Sequence, residues 1–249
     1  MKNNNKYLKN IIIVALLVFF ALSCKKETEY DLITGQLISY VYLDDTNDHS
    51  GINVKVEGSR SNITVTTNSE GKYIIDDLEC GTYNIIYSKE GYCDYKITGQ
   101  QFIGGSKPYI LHRKYLYRKP TTQIENLEVS PYSTFFNIDL LLKAAFVGET
   151  DDYFFIRGYF SNSSDVSYKN YEYTERFYSS RRDTFRTNYE VDTLLFPTGS
   201  QLYVILYPST YIDQYYIDIN TGREIFTSID MDKPTNVASI IVPEVDDQW

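Results

Sequence analysis

The chain has 249 residues, and its 24 basic and 33 acidic side chains give a formal net charge of -9. Hydrophobic residues at 43% and charged ones at 23% are ordinary globular usage and rule out a disordered or collagen-like chain. The acidic balance offers no basic stripe for a phosphate backbone, which argues against nucleic acid as a partner. Two His and three Cys leave little material for imidazole or thiolate chemistry. The 25 Tyr and 13 Phe favour strands, so composition alone leans towards β structure.

The chain opens as an address. Lys2, Lys6 and Lys9 precede an unbroken apolar run over 11–22, which ends on Ser23 and Cys24. A basic start, a short apolar stretch and small residues at the cut are the layout of a secretory signal. The run falls well short of the roughly 20 residues needed to cross a bilayer. Ala21-Leu22-Ser23-Cys24 resembles the bacterial lipobox, although Ala21 and Leu22 depart from its usual residues. The resemblance implies that 1–23 are removed and that Cys24 carries lipid. An ordinary secretory signal with a chance Cys is the plainer reading.

Residues 24–32 read as a tether, since Lys25-Lys26-Glu27-Thr28-Glu29 is charged and free of apolar side chains. Charged residues just after the Cys also resemble the export signals of surface lipoproteins in Gram-negative, polysaccharide-degrading gut bacteria. Outer-membrane lipid, held through Cys24, is therefore the first expected partner.

From 35 to 116 short strands alternate with turn residues. Val54 and Val56 alternate with Lys55 and Glu57, and Ile63 and Val65 alternate with Thr64 and Thr66, the period of a half-buried strand. Asn68-Ser69-Glu70-Gly71 is a turn by its residues. Tyr73 and Ile75 share the next face, and Tyr83, Ile85 and Tyr87 the one after it. Strands at this spacing predict a sandwich or barrel rather than a parallel sheet.

These residues carry a resemblance. Gly35-Gln36-Leu37-Ile38, the run Gly51-Ile52-Asn53-Val54-Lys55-Val56-Glu57-Gly58, Thr67-Asn68-Ser69-Glu70-Gly71-Lys72-Tyr73, Leu78-Glu79-Cys80-Gly81-Thr82-Tyr83 and Gly91-Tyr92 follow in order. The series resembles the carboxypeptidase regulatory-like domain, a prealbumin-like sandwich that accompanies metallocarboxypeptidases without catalysing their reaction. The resemblance covers roughly 33–116.

A boundary is predicted near 117–123, where Arg118-Lys119-Pro120-Thr121-Thr122 lacks apolar periodicity and Pro120 blocks a central strand. Alternation then resumes at Phe136, Ile138, Leu140 and Leu142; at Tyr153, Phe155, Arg157 and Tyr159; and at Leu202, Val204 and Leu206. It continues at Tyr215, Ile217 and Ile219 and at Val237, Ser239 and Ile241. About seven strands are expected, the size of an immunoglobulin-like sandwich. One ambiguity is the mixed apolar run 138–146, which also admits a short helix. The predicted fold class is all-β, with two tandem β-sandwich domains over 33–118 and 119–249 after the signal. This order is similar to that of uncharacterised two-domain lipoproteins from those gut bacteria, often encoded near glycan-uptake systems.

Candidate chemistry is sparse. A carboxypeptidase zinc site needs two His and a Glu, and neither His49 nor His112 has a partner at metal-binding spacing. His112 is placed on the last strand of the first domain, and His49 in an acidic turn. Counting twelve residues from Asp44 or Asp45 reaches Lys55 or Val56, so the closing carboxylate of a helical-hand calcium loop is missing. Asp76-Asp77, Asp151-Asp152, Asp230 with Asp232, and Asp246-Asp247 are carboxylate pairs by type. Contiguous pairs on a strand point to opposite faces and do not converge for glycoside cleavage. No catalytic motif is present, so no cofactor, metal or enzymatic activity is expected.

The tyrosines carry the remaining signal. Tyr168, Tyr171 and Tyr173 lie in a polar stretch, and exposed rings can stack on the apolar faces of sugars. If that stretch is a regular strand, Tyr171 and Tyr173 share a face as a sugar platform. The plain alternative is that these rings simply cover a β surface. Cys80 and Cys93 are expected as free thiols, because a hairpin centred near Glu90-Gly91 sets Cys93 opposite Ser88, far from Cys80.

The sequence thus predicts a lipid-anchored, non-catalytic outer-membrane protein, surface-exposed or periplasmic. It would bind a glycan or a partner protein, such as outer-membrane uptake proteins, as an accessory of polysaccharide uptake. A fimbrial or adhesin subunit is the rival reading, and a glycoside-active enzyme ranks third.

Overall fold

The computed structural model describes residues 33–58, 62–132, 138–147, 153–180 and 184–244. The signal, Cys24, the tether, Phe136, Asp151, Asp152, Asp246 and Asp247 lie outside the described residues. The described chain is all-β.

Eight strands build the first sandwich: β1 (Thr34–Leu43), β2 (Asn53–Gly58), β3 (Asn62–Thr66), β4 (Lys72–Glu79), β5 (Gly81–Ser88), β6 (Tyr95–Phe102), β7 (Gly105–Ile110) and β8 (Lys114–Leu116). One sheet runs β4-β1-β7, with β8 also pairing β1, and the other runs β3-β2-β5-β6. β7 and β8 pair with β1 in parallel, while the other neighbours are antiparallel. Odd-numbered residues of β1, Leu37, Val41 and Leu43, face Val54, Val56, Ile85 and Tyr87 in one buried core. The period-two pattern is the cause, because only one face of each strand is apolar enough to leave water. Gly71 turns the chain into β4 with φ of +78°, where a Cβ would meet the Val41 carbonyl oxygen at 2.2 Å, so no larger residue fits.

Seven strands build the second sandwich. β9 (Gln123–Pro131), β10 (Asp139–Val147) and β13 (Thr184–Glu190) form one sheet in the order β13-β10-β9. β11 (Phe154–Ser161), β12 (Tyr173–Ser179), β14 (Gln201–Ser209) and β17 (Ala238–Ile241) form the other, in the order β12-β11-β14-β17. The ambiguous 138–146 run is strand, since Leu140, Leu142 and Ala144 alternate into the core against Ile156, Phe160, Val204 and Leu206. His112 falls between β7 and β8 and is exposed, not on a strand as the sequence suggested.

A third layer lies on the outer face of β11 and β14. The segment 162–172 and the hairpin of β15 (Tyr215–Ile217) with β16 (Glu224–Phe226) carry side chains onto that face. There Tyr159, Val166, Tyr171, Ile205, Tyr207 and Ile229 make a second, smaller core. β11 is therefore buried on both sides along most of its length.

Candidate functional site

The two sandwiches meet through the connector 117–122 and through the segments that flank the third layer. Gln214 Nε2 donates to the Tyr115 carbonyl at 3.0 Å, and Thr98 Oγ1 to the Ile217 carbonyl at 3.4 Å. The Lys96 ammonium sits 4.8 Å from the centre of the Tyr216 ring. Lys119 ties the connector in place: its backbone N–H donates to the Gly91 carbonyl at 2.9 Å, and its Nζ lies 3.1 Å from Asp232 and 3.7 Å from Asp230. Burial opposes the charge on Lys119, but the hydrogen bond to Asp232 and the field of Asp230 outweigh it and hold its pKa above the ordinary value.

A cleft of about 290 Å³ opens beside this connector. That volume is near the lower end of the roughly 300–1,000 Å³ typical of small-ligand sites. Its rim carries Tyr117 and Tyr211, edge to face with ring centres 5.4 Å apart, together with Tyr153 and Phe155. Tyr153 and Tyr211 are 65% and 53% exposed, so most of each ring is free to be covered. The floor is apolar, with Phe146 stacked on Phe154 at 4.5 Å. Asp44, Arg118, Lys119, Ser209 and Thr210 supply polar groups around the rings. Burial raises the Asp44 carboxyl above its ordinary value, against the backbone N–H of Arg118, which donates to it at 3.3 Å. Two further hollows, of about 570 and 370 Å³, continue around Lys119 and Gly91.

Chemically, the cleft offers ring faces beside hydroxyl, carboxylate and cationic groups. Such a set can hold a molecule that has both apolar faces and hydroxyls. Groups of His, Cys, Asp and Glu able to hold a metal ion are absent among the described residues.

The tyrosines singled out from the sequence do not form one platform. Tyr171 precedes β12 and is buried in the third layer, its ring 5.1 Å from Tyr159 and its hydroxyl donating to the Glu224 carbonyl at 2.6 Å. Tyr173 turns to the opposite side of the sheet, 5.9 Å from Phe160 and from Tyr189. Tyr168 stays with the third layer, edge to face with Tyr207 at 5.9 Å. The expected shared face of Tyr171 and Tyr173 is thus corrected: the chain is not yet a regular strand at Tyr171, so the two-residue spacing does not apply there. Asp230 and Asp232 do come together, on Lys119 at 3.7 and 3.1 Å beside the smaller hollow, and Asp230 also lies 3.9 Å from Lys233, so this pair is held by lysines. Cys80 and Cys93 are free thiols, with Cys80 exposed and Cys93 buried.

The cleft itself was not singled out from the sequence. Its rings come from the connector, the start of β11 and the end of β14, which no local pattern links. The one local signal was the aperiodic stretch holding Pro120, read there only as a boundary.

No family model matches the chain, and no curated protein matches it. Among solved structures it is similar to a candidate carbohydrate-binding protein of Bacteroides uniformis, with 9% identity and a TM-score of 0.33, covering 84% of this chain and 99% of that one. It is also similar to a DUF3823 family protein of Parabacteroides merdae, with 11% identity and a TM-score of 0.30 over 80% and 98% of the two chains. The full-length major pilin SpaD of Corynebacterium diphtheriae is a third, with 12% identity and a TM-score of 0.28 over 84% and 65%.

Proposed function

We propose that this protein is a non-catalytic binding protein of the cell envelope, anchored through Cys24, whose inter-sandwich cleft holds a glycan. The single observation that carries the reading is the cleft rim of Tyr117, Tyr153, Phe155 and Tyr211, with Asp44, Arg118 and Lys119 beside it. Ring faces cover the C–H side of a sugar, and the polar rim meets its hydroxyls. The basic, apolar leader ending at Cys24 supports a lipid anchor, which would hold the sandwiches close to a membrane without spanning it. A role as an accessory of polysaccharide uptake fits this arrangement, in which the protein binds the chain that other proteins cut or import.

A glycan array probed with the full chain tests the reading, followed by titration of the best ligand. Losing one stacked ring in Tyr153→Ala or Tyr211→Ala should weaken binding by about 5- to 150-fold, on the scale of ring stacking on bases. The ligand should be recovered uncut after long incubation, and release of reducing ends would overturn the non-catalytic part. A wild-type chain that binds no glycan, or variants that bind as well as wild type, would overturn the site. Labelled fatty acid should enter the wild type and be lost in Cys24→Ala.

A further inference from the structure

The outer face of the β4-β1-β7 sheet carries an apolar row that, among the described residues, is left half-buried to exposed. Ile38 of β1 pairs in register with Ile74 of β4 on one side and with Ile110 of β7 on the other. All three point away from the core, since their neighbours Leu37, Tyr73, Ile75 and Leu111 are the buried ones. Ile74 is 39% exposed and Ile110 71% exposed. Along β1 the face continues through Tyr40 and Tyr42, whose ring centres are 6.4 Å apart, and Tyr115 of β8 adds a ring 5.4 Å from Tyr42. Isolated exposed apolar side chains are ordinary, but a contiguous set on one flat face marks a contact surface.

The charges around this row select the occupant. On β4, Lys72 and Asp76 stand two residues to either side of Ile74, and both are on the outer face with it. Asp76 accepts from Gln36 Nε2 at 2.6 Å, which fixes its carboxylate beside β1. A two-fold axis laid along the Ile74, Ile38 and Ile110 row turns the sheet over and reverses its strands. It sets each Ile of one copy over the same Ile of the other, and Lys72 over Asp76. Such a contact is self-complementary, as every isologous interface must be. It also brings together a patch with no net charge on a chain whose formal charge is -9. Face-to-face sheets pack about 10 Å apart, which suits branched aliphatic side chains interdigitating between them.

We propose that this face is a contact between two copies of the chain, with the Ile row at its centre and Lys72 paired to Asp76 of the second copy in both directions. The patch spans three strands and about seven residues of β1, roughly 10 Å by 20 Å between backbones. That is small beside the roughly 800 Å² per partner of a standard interface, so the dimer is weak and reversible.

Carbodiimide coupling of mixed isotopically heavy and light full chain tests this. It joins an amine to a carboxylate without a spacer. Lys72 and Asp76 of one copy are about 13 Å apart along a strand, too far for such a bond. A heavy–light peptide joining Lys72 to Asp76 is therefore diagnostic of two copies, and it is the expected product. Sedimentation from micromolar to submillimolar protein should show a concentration-dependent dimer. Ile74→Glu and Ile110→Glu, both at exposed positions, should weaken it at least about tenfold, because each sets like charges face to face. Lys72→Asp should abolish the coupled peptide. Lys72→Asp combined with Asp76→Lys should restore it, with the residue types exchanged. A monomer throughout, a dimer indifferent to Ile110→Glu, or a face that captures a glycan instead of a second copy would each overturn the proposal.

Discussion

Tyr171 and Tyr173 are two residues apart in the chain yet lie on opposite sides of the same sheet. Tyr171 packs against Tyr159 at 5.1 Å and Tyr173 against Phe160 at 5.9 Å, and Tyr159 and Phe160 are neighbours on β11. The chain thus crosses the edge of the sheet between the two rings, and Glu172, between them, donates its backbone N–H to the Phe160 carbonyl at 2.9 Å. This crossing closes the third layer onto the second sandwich.

Tyr171 is consequently a stability residue. Tyr171→Ala should cost about 3–5 kcal/mol, the range for removing a buried aromatic ring. Tyr171→Phe keeps the ring but loses the bond to the Glu224 carbonyl, and should cost about 1 kcal/mol. Urea denaturation of the variants measures both. A loss below about 1 kcal/mol for Tyr171→Ala would mean that the ring is not core.

Much of the fold was legible because strand periodicity is local. Leu202, Val204 and Leu206 alternate with Tyr203, Ile205 and Tyr207, and the first set does enter the main core. The third layer was not read, because its sequence signal is the absence of a polar face. Tyr159, Ile205 and Tyr207 made the second face of β11 and β14 largely apolar around Arg157, which is how strands covered on both sides read. The cleft was illegible for another reason. Tyr117 and Tyr211 meet only through the docking of two sandwiches, and no spacing within either segment encodes that approach.

Arg157 offers a sharper test of the layer. Its side chain is 5% exposed, its Nη2 lies 2.7 Å from an Asp213 carboxylate oxygen, and its guanidinium carbon sits 3.7 Å from the centre of the Phe226 ring. Asp213 is 33% exposed, so water already shares its charge. Asp213→Ala leaves a buried cation with only the ring and a long bond to Thr174 Oγ1, at 3.4 Å, beside it, and should cost about 3 kcal/mol, near the low end for breaking a buried pair. Arg157→Met removes the charge and keeps much of the volume, so Arg157→Met with Asp213→Ala should be more stable than Asp213→Ala alone. A double-mutant cycle by chemical denaturation gives the coupling, and zero coupling would sink this account.

Cys93 reports whether the two sandwiches stay docked. Its thiol is buried and points at the Ile229 carbonyl of the second sandwich at 3.7 Å, and burial pushes its pKa up to about 12. Little thiolate exists near neutral pH, and reagent has no path to it while the interface is closed. Cys80 should therefore alkylate quickly in the folded protein and Cys93 only on the timescale of opening. Removing the tie in Lys119→Met should speed the slow thiol without changing the fast one. Equal rates at both thiols in the wild type would show that the interface is open.

The last prediction concerns acid. Asp45 accepts a hydrogen bond from the Tyr92 hydroxyl and pairs with Arg118, so the acidic turn after β1 is clasped to the start of the connector. The Tyr92 bond is the largest single cause that holds the Asp45 carboxyl below the ordinary carboxylate value, and the hydrogen bond and charge of Arg118 add to it. A carboxyl whose folded pKa is depressed stabilises the fold fully above its unfolded pKa, near about 3.9, and that stability is lost as pH falls through the folded value. The clasp should therefore hold at neutral pH and fail only in strong acid. Tyr92→Phe removes the largest single cause of the depression, so Asp45 should titrate closer to its ordinary value and the loss should begin at higher pH. The cost at neutral pH should stay near about 1 kcal/mol, because the Asp45 side chain is 30% exposed and solvent screens it. Carboxyl carbon shifts followed against pH give the Asp45 pKa directly, and urea midpoints at each pH give the stability. An Asp45 pKa that does not rise in Tyr92→Phe would show that Arg118, not Tyr92, sets it. Arg118→Met would then produce the shift in its place.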